Sequence, residues 1–119
     1  ASELLDYKMG LNPVGISYVT QLGFDQVHNP HDRESAYTES LGLGPKPGIT
    51  VFGPGVTGRA TDIPVIPQIN DLSKERQYVD DREIISFNEF TIFETLAHDV
   101  WYTVLAGGGK WNGKDPYAR

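Results

Sequence analysis

The hydrophobic pattern is strongest near the end of the chain. Phe90, Phe93, Leu96, Ala97, Val100, Trp101, Val104 and Leu105 recur at three- and four-residue intervals, which predicts a helix buried along one side. Gly107-Gly108-Gly109 stops it, and Ser86-Phe87-Asn88-Glu89 is a Ser-x-x-Glu capping signature that sets its start. At the other end, Leu4, Leu5 and Met9 share one side of a helix that is already under way at the first residue and closes at Gly10. Asn12-Pro13 fixes a turn, and the β-branched run from Val14 to Thr20 predicts an extended segment that Gly23 breaks.

The middle of the chain has no regular period. From Phe24 to Ser35 the backbone is expected to be an extended turn, because Pro30 drives its neighbour out of the α region. His31 and Arg33 are then presented from that turn and not from a helix. From Leu41 to Asn70 the glycines and prolines predict a long loop, with Ile49–Phe52 the one stretch suited to a short strand. A run of this length usually lines a site or packs on something larger. Gly53 to Arg59 has two glycines five residues apart, but Arg59-Ala60 stands where a phosphate loop needs Lys and then Ser or Thr.

Composition narrows the partners. At 119 residues the chain is at most one small domain or part of a larger one. A net charge of −6 with no basic run argues against nucleic acid and anionic membrane, and no apolar run has the length of a membrane span. The absence of cysteine removes disulfides and thiolate metal sites, and leaves open whether the compartment is secreted, periplasmic or cytoplasmic. The 13 Gly and 8 Pro gather in the middle, where the loop is expected.

Two clusters carry candidate chemistry. In His31-Asp32-Arg33, alternate residues of an extended chain project the same way, so an imidazole and a guanidinium meet one ligand while Asp32 faces elsewhere. The plainer reading is a surface turn with a local ion pair. Glu89 either caps its helix or, at a helix mouth beside a cleft, serves as a general acid, with Asp80, Asp81 and Glu83 just upstream. His28 and His31 lack a third ligand at suitable spacing, so no metal is assigned. Tyr18 and Tyr37 are candidates for a cleft; Trp101 belongs to the helix stripe, His98 to its border, and Trp111, beyond the helix on a polar tail, either docks back or binds a ligand.

Taken in order, Asn12-Pro13, then Ser17, Val19, Thr20 and Gly23, then Pro30, His31 and Arg33, then Gly53-Pro54, and finally Tyr78, Asp80, Asn88, Glu89 and Thr91 form a pattern that resembles the C-terminal part of the catalytic domain of glycoside hydrolase family 9. The resemblance covers most of the chain. It implies an all-α fold: the C-terminal segment of an (α/α)6 barrel crossed by a long Gly/Pro-rich loop. Residues 1–119 are then the later part of a catalytic domain, whose remaining part carries a paired-Asp motif.

The implied reaction is inverting hydrolysis of β-1,4-glycosidic bonds, endoglucanase-like. Glu89 matches the general acid, Asp80 a supporting carboxylate, and His31 a residue that organises the carboxylates; His31 and Arg33 match residues that hold the sugar, with Asp32 and Tyr18 as further substrate-binding candidates. The second carboxylate, about 6.5–9.5 Å away in inverting enzymes, is expected from the paired-Asp motif. No cofactor is expected; calcium occurs in relatives, but no acidic loop here has a pattern that assigns it.

Where the chain departs from the family, the substrate is affected. Asp25, Ile85 and Thr95 replace a basic or amide residue, an aromatic and an Asn, and Asp32 stands where many members have a second His. Loss of the aromatic weakens stacking of a long glucan, while Asp25, Asp32 and Glu94 favour a cationic sugar. An exo-acting β-glucosaminidase on glucosamine oligosaccharides is therefore the alternative to a β-glucan hydrolase. A non-catalytic carbohydrate-binding or interaction fragment is the reading of another class, and the late helix counts against the β-sandwich usual for such modules.

Overall fold

The computed structural model describes residues 2–55, 65–93, 95–96 and 100. Among them, helices are few and short and there is little strand. Helix α1 spans Ser2–Lys8, α2 spans Arg33–Ser40 and α3 spans Ile85–Asn88, with 3-10 turns at Ile69–Asp71 and Lys74–Arg76. No described helix is long and apolar enough to cross a membrane.

Helix α1 ends where the glycine dictates. Gly10 takes φ +120°, its amide bonds the Tyr7 carbonyl, and the Leu11 amide bonds the Asp6 carbonyl, which together make a Schellman closure. The Asn12 side chain then caps the amides of Val14 and Gly15 and forms the expected turn. Beyond it the extended run pairs with the predicted Ile49–Phe52 stretch. Thr20 donates to the Ile49 carbonyl, Val51 donates to Tyr18, and Val19 and Thr50 form an antiparallel bridge.

These two extended segments build the core together with residues of α3, the first 3-10 turn and the loops between. Tyr18, Val27, Ile49, Val51, Ile69, Tyr78 and Phe87 form one buried cluster. Tyr18 meets Tyr78 edge-on at 5.5 Å between centroids, and Tyr78 tilts against Phe87 at 5.9 Å. Of this cluster, Tyr18, Ile49 and Val51 come from the two extended segments, where β-branched Ile49 and Val51 supply inward side chains.

Two expectations are corrected. The turn from Phe24 to Ser35 does not stay extended, since Arg33 is the first residue of α2 and Asp32 is its cap. A helix does not run on from a Ser86–Glu89 capping box either. Ser86 lies inside α3, whose cap, Ile84, makes no side-chain cap bond, and Glu89 is extended at φ −71°, ψ 159°. Helical backbone resumes at residue 92, where the Thr95 amide bonds the Thr91 carbonyl.

The cause of the break is visible in three successive carbonyls. Phe87 accepts from Gly53, Asn88 from His31, and Glu89 from Phe52. Carbonyls turned outward to other segments cannot also point along a helix axis to the amides four residues on. Of the predicted apolar stripe, Phe90 packs against the core, but Phe93 is 84% exposed, and Leu96 and Val100 are exposed as well. Glu94, Ala97, His98, Trp101, Val104, Leu105, the stop at Gly107–Gly109 and Trp111 lie outside the described residues, as do Gly58, Arg59, Ala60 and Pro64 of the loop.

Gly23 joins the turn after the first extended segment to the end of α1. At φ +83°, an added Cβ would sit 2.7 Å from the Ser17 hydroxyl and 2.8 Å from the Met9 carbonyl oxygen. Gly23→Ala is expected to cost about 2–3 kcal/mol, from left-handed strain together with the backbone clash. Urea melts of the two proteins measure it; a change under half that range means the turn relaxes freely.

Candidate active site

Four segments converge at the carbonyls that interrupt the late helix. The His31 amide donates to the Asn88 carbonyl at 2.7 Å, and the Phe52 amide to the Glu89 carbonyl at 3.0 Å. The 80–82 segment holds the turn that leads to His31. Asp80 accepts the His28 amide at 2.8 Å on one carboxylate oxygen and the Asn29 amide at 2.9 Å on the other. The Asn29 side chain returns the contact to the Asp80 carbonyl and accepts from the Arg82 guanidinium, each at 3.2 Å. Asp80 is thus a clamp on the backbone that precedes His31.

The His31 ring has one nitrogen assigned by its partner. Nδ1 lies 2.7 Å from the Arg82 carbonyl. A carbonyl can only accept, so Nδ1 carries the hydrogen, and Nε2 is left for another group. Arg33, exposed at the start of α2, and the half-buried Glu89 make no side-chain hydrogen bond or ion pair among the described residues. Among the described residues, an imidazole nitrogen, a guanidinium and a carboxyl are therefore uncommitted, with the backbone of His31 bonded to the residue before Glu89.

Asn88 holds this junction from beneath. It is fully buried, accepts from the Tyr78 hydroxyl at 2.6 Å, and donates to the carbonyls of Val79, Asp81 and Ile84. Burial, reinforced by the nearby Asp80 charge and by Tyr18, pushes the Tyr78 hydroxyl up, so it remains the donor. One side chain in this way ties the 78–81 segment to α3. The sequence marks Asn88 as a motif residue but gives no sign of its four partners, three of which are main-chain atoms.

Three other expected site residues, Tyr18, Tyr37 and Asp32, have other surroundings. Tyr18 is 4% exposed and packs its ring against Gly53 and Tyr78 in the core, so it is not a cleft residue. Burial, with the neighbouring Tyr7 adding to it, pushes its hydroxyl up. Tyr37 is exposed on α2. Asp32 spends its carboxylate on α2: one oxygen accepts both the Ser35 amide at 2.8 Å and the Ser35 hydroxyl at 2.7 Å. It is the alternation expected for an extended chain that fails here, since the helix begins at Arg33.

Partial burial raises the Asp32 carboxyl, but hydrogen bonds from Ser35 and Glu34 and the charge of Lys46 outweigh it and hold the group below the usual range. Because the folded value is depressed, the cap contributes above the unfolded value and is lost as pH falls through the folded one. Asp32→Ala is expected to cost about 1 kcal/mol at neutral pH, and the gap to wild type should narrow below about pH 4. Thermal melts across pH 3–7 test this; a pH-independent gap would rule out the carboxylate as the cap. Among the described residues no group of three or more His, Asp or Glu side chains gathers to hold a metal ion.

Comparison with known proteins bears on the whole assembly of segments. The sequence profile of Glycosyl hydrolase family 9 matches residues 1–95. The crystal structure of a Zn-binding triple mutant of GH family 9 endoglucanase J30 is similar, with 29% identity and a TM-score of 0.62, over 79% of this chain. The chain spans 17% of the length of that endoglucanase. No curated protein was found to match.

Proposed function

The chain belongs to glycosyl hydrolase family 9, and from that premise we propose that it is the later part of a catalytic domain that hydrolyses β-1,4-glucan with inversion. The observation that carries the reading is the bond from the His31 amide to the carbonyl beside Glu89, with Asp80 clamping the turn between them. It joins the two motifs of the family at one point of the fold. The (α/α)6 barrel follows from the same reading, with this segment closing it against the part that carries the paired aspartates.

In the reaction, Glu89 gives its proton to the glycosidic oxygen as the bond to the anomeric carbon breaks. A carboxylate of the paired-Asp motif takes a proton from water, whose oxygen forms the new bond on the opposite face. His31 and Arg33 hold the sugar at the cleavage point through Nε2 and the guanidinium fork. Asp80 acts through the backbone it holds, and so positions His31 without touching substrate. Asp32 engages Ser35 through one carboxylate oxygen as the cap of α2, so its first task is structural, and β-glucan is taken as the substrate with the glucosamine chain as the alternative.

Inversion is the property to test. Proton NMR of cellotetraose hydrolysis by the full-length enzyme is expected to show the α-anomer of the new reducing end first. Initial appearance of the β-anomer would refute the mechanism, and cleavage of chitosan disaccharide but not of cellotetraose would refute the glucan as substrate.

A further inference from the structure

A recess borders the His28–His31 turn at His28. It is a groove of about 400 Å³ between the loop that carries Gln21, Gln26 and His28 and the turn of Leu43, Gly44 and Pro45. Its walls are bonded to each other. The Gln21 side chain donates to the Pro45 carbonyl, the Thr20 hydroxyl donates to Lys46 and accepts from the Ile49 amide, and the Gly48 amide donates to Thr20. A groove fixed in this way costs little ordering when a ligand enters.

The lining chemistry is specific in kind. No aspartate, glutamate, lysine or arginine is among the lining residues. The Gln26 amide and the exposed His28 ring have no hydrogen-bond partner among the described residues. They offer donors and acceptors of matched number, and Leu43, 68% exposed, adds an apolar face. A net charge of −6 disfavours an anion. Neutral polar groups beside an apolar face, in a groove open enough for a ring, suit a neutral sugar with its hydroxyl rim and C–H faces.

Position adds the last element. His28 lines the groove, its amide is held by Asp80, and three residues later comes His31. Three residues of extended chain reach at most about 10–11 Å, so one oligosaccharide can engage both. We propose that this groove is an accessory subsite that binds a hexose unit away from the cleaved bond, with Gln26 and His28 as its hydrogen-bonding residues. The inference rests on the glucan-hydrolase reading, and it adds a chain-length preference to it.

The test compares cellotetraose with cellobiose on full-length wild type, Gln26→Ala, His28→Ala and the double variant. The ratio of kcat/KM for the tetraose to that for the disaccharide is expected to fall about 3–10-fold in each single variant, and further in the double. Both side chains lack partners among the described residues, so circular dichroism and melting temperature should match wild type. If wild type cleaves both sugars and the ratio is the same in all four proteins, the groove is not a subsite, while the reaction stands. If wild type cleaves neither sugar, the reaction is what fails. Calorimetric titration of cellotetraose into wild type and the double variant then decides the groove separately, equal affinity overturning it and weaker binding by the variant supporting it.

Discussion

Glu89→Gln in the full-length enzyme is expected to lower kcat on cellotetraose by about 10²–10⁴-fold, the usual contribution of a positioned general acid. The amide keeps the size and the hydrogen-bonding reach of the side chain but has no proton to give. KM should change little, because the loss falls on the transition state and not on ground-state binding. A diagnostic comes from the leaving group. A dinitrophenyl β-cellobioside departs as a stable phenolate and needs no protonation, so its hydrolysis should fall far less. Equal losses on both substrates would mean that Glu89 supports the fold of the site and does not act as the acid. Full activity on cellotetraose would remove it from the mechanism altogether.

Asn88→Ala is expected to destabilise the protein by about 3–5 kcal/mol, at the upper end for single substitutions. The side chain is fully buried, and its loss leaves the Tyr78 hydroxyl and the carbonyls of Val79, Asp81 and Ile84 without their partner. Tyr78→Phe alone should cost about 1 kcal/mol, because it removes one bond and leaves Asn88 its other contacts. The double variant should be no less stable than Asn88→Ala, since the orphaned hydroxyl is gone. Urea melts of the four proteins measure the coupling. An Asn88→Ala cost under 1 kcal/mol, or strict additivity in the cycle, would show that the network is not what joins the two segments.

Both predictions concern neighbouring residues with unlike tasks, and that pairing explains the geometry. Asn88 has four hydrogen-bond partners, whereas Glu89 has a committed backbone and, among the described residues, an uncommitted carboxyl. A rigid support under a chemically free group is what a proton donor needs, because its reach must be fixed while its proton is not shared. Asp80 and His31 repeat the division. The Asp80 carboxylate is used on amides, and the His31 ring keeps one nitrogen available.

Local signals in the chain were enough for some of this. Gly10 ended its helix, Asn12-Pro13 made its turn, and β-branched residues marked the extended segment, because each outcome is decided within a few residues. The ordered motifs from Asn12 to Thr91 were enough for the family, which the match over residues 1–95 shows. What local pattern misjudged were carbonyls whose partners lie far along the chain and the point at which a helix starts. Ser86-x-x-Glu89 reads as a cap until the distant partners are known, and Asp32 reads as half of a local ion pair or as a substrate-binding residue until the helix start at Arg33 makes it a cap.

By itself, then, the sequence determined the turns, the extended pairing segments, the family and the residue types at the candidate site. Tertiary structure alone decided that the helix breaks at Glu89. The carbonyls of Phe87, Asn88 and Glu89 are taken by the amides of Gly53, His31 and Phe52. Those amides come from residues tens of positions away, so no window of the sequence around Glu89 contains the competitor that overrides its helical pattern.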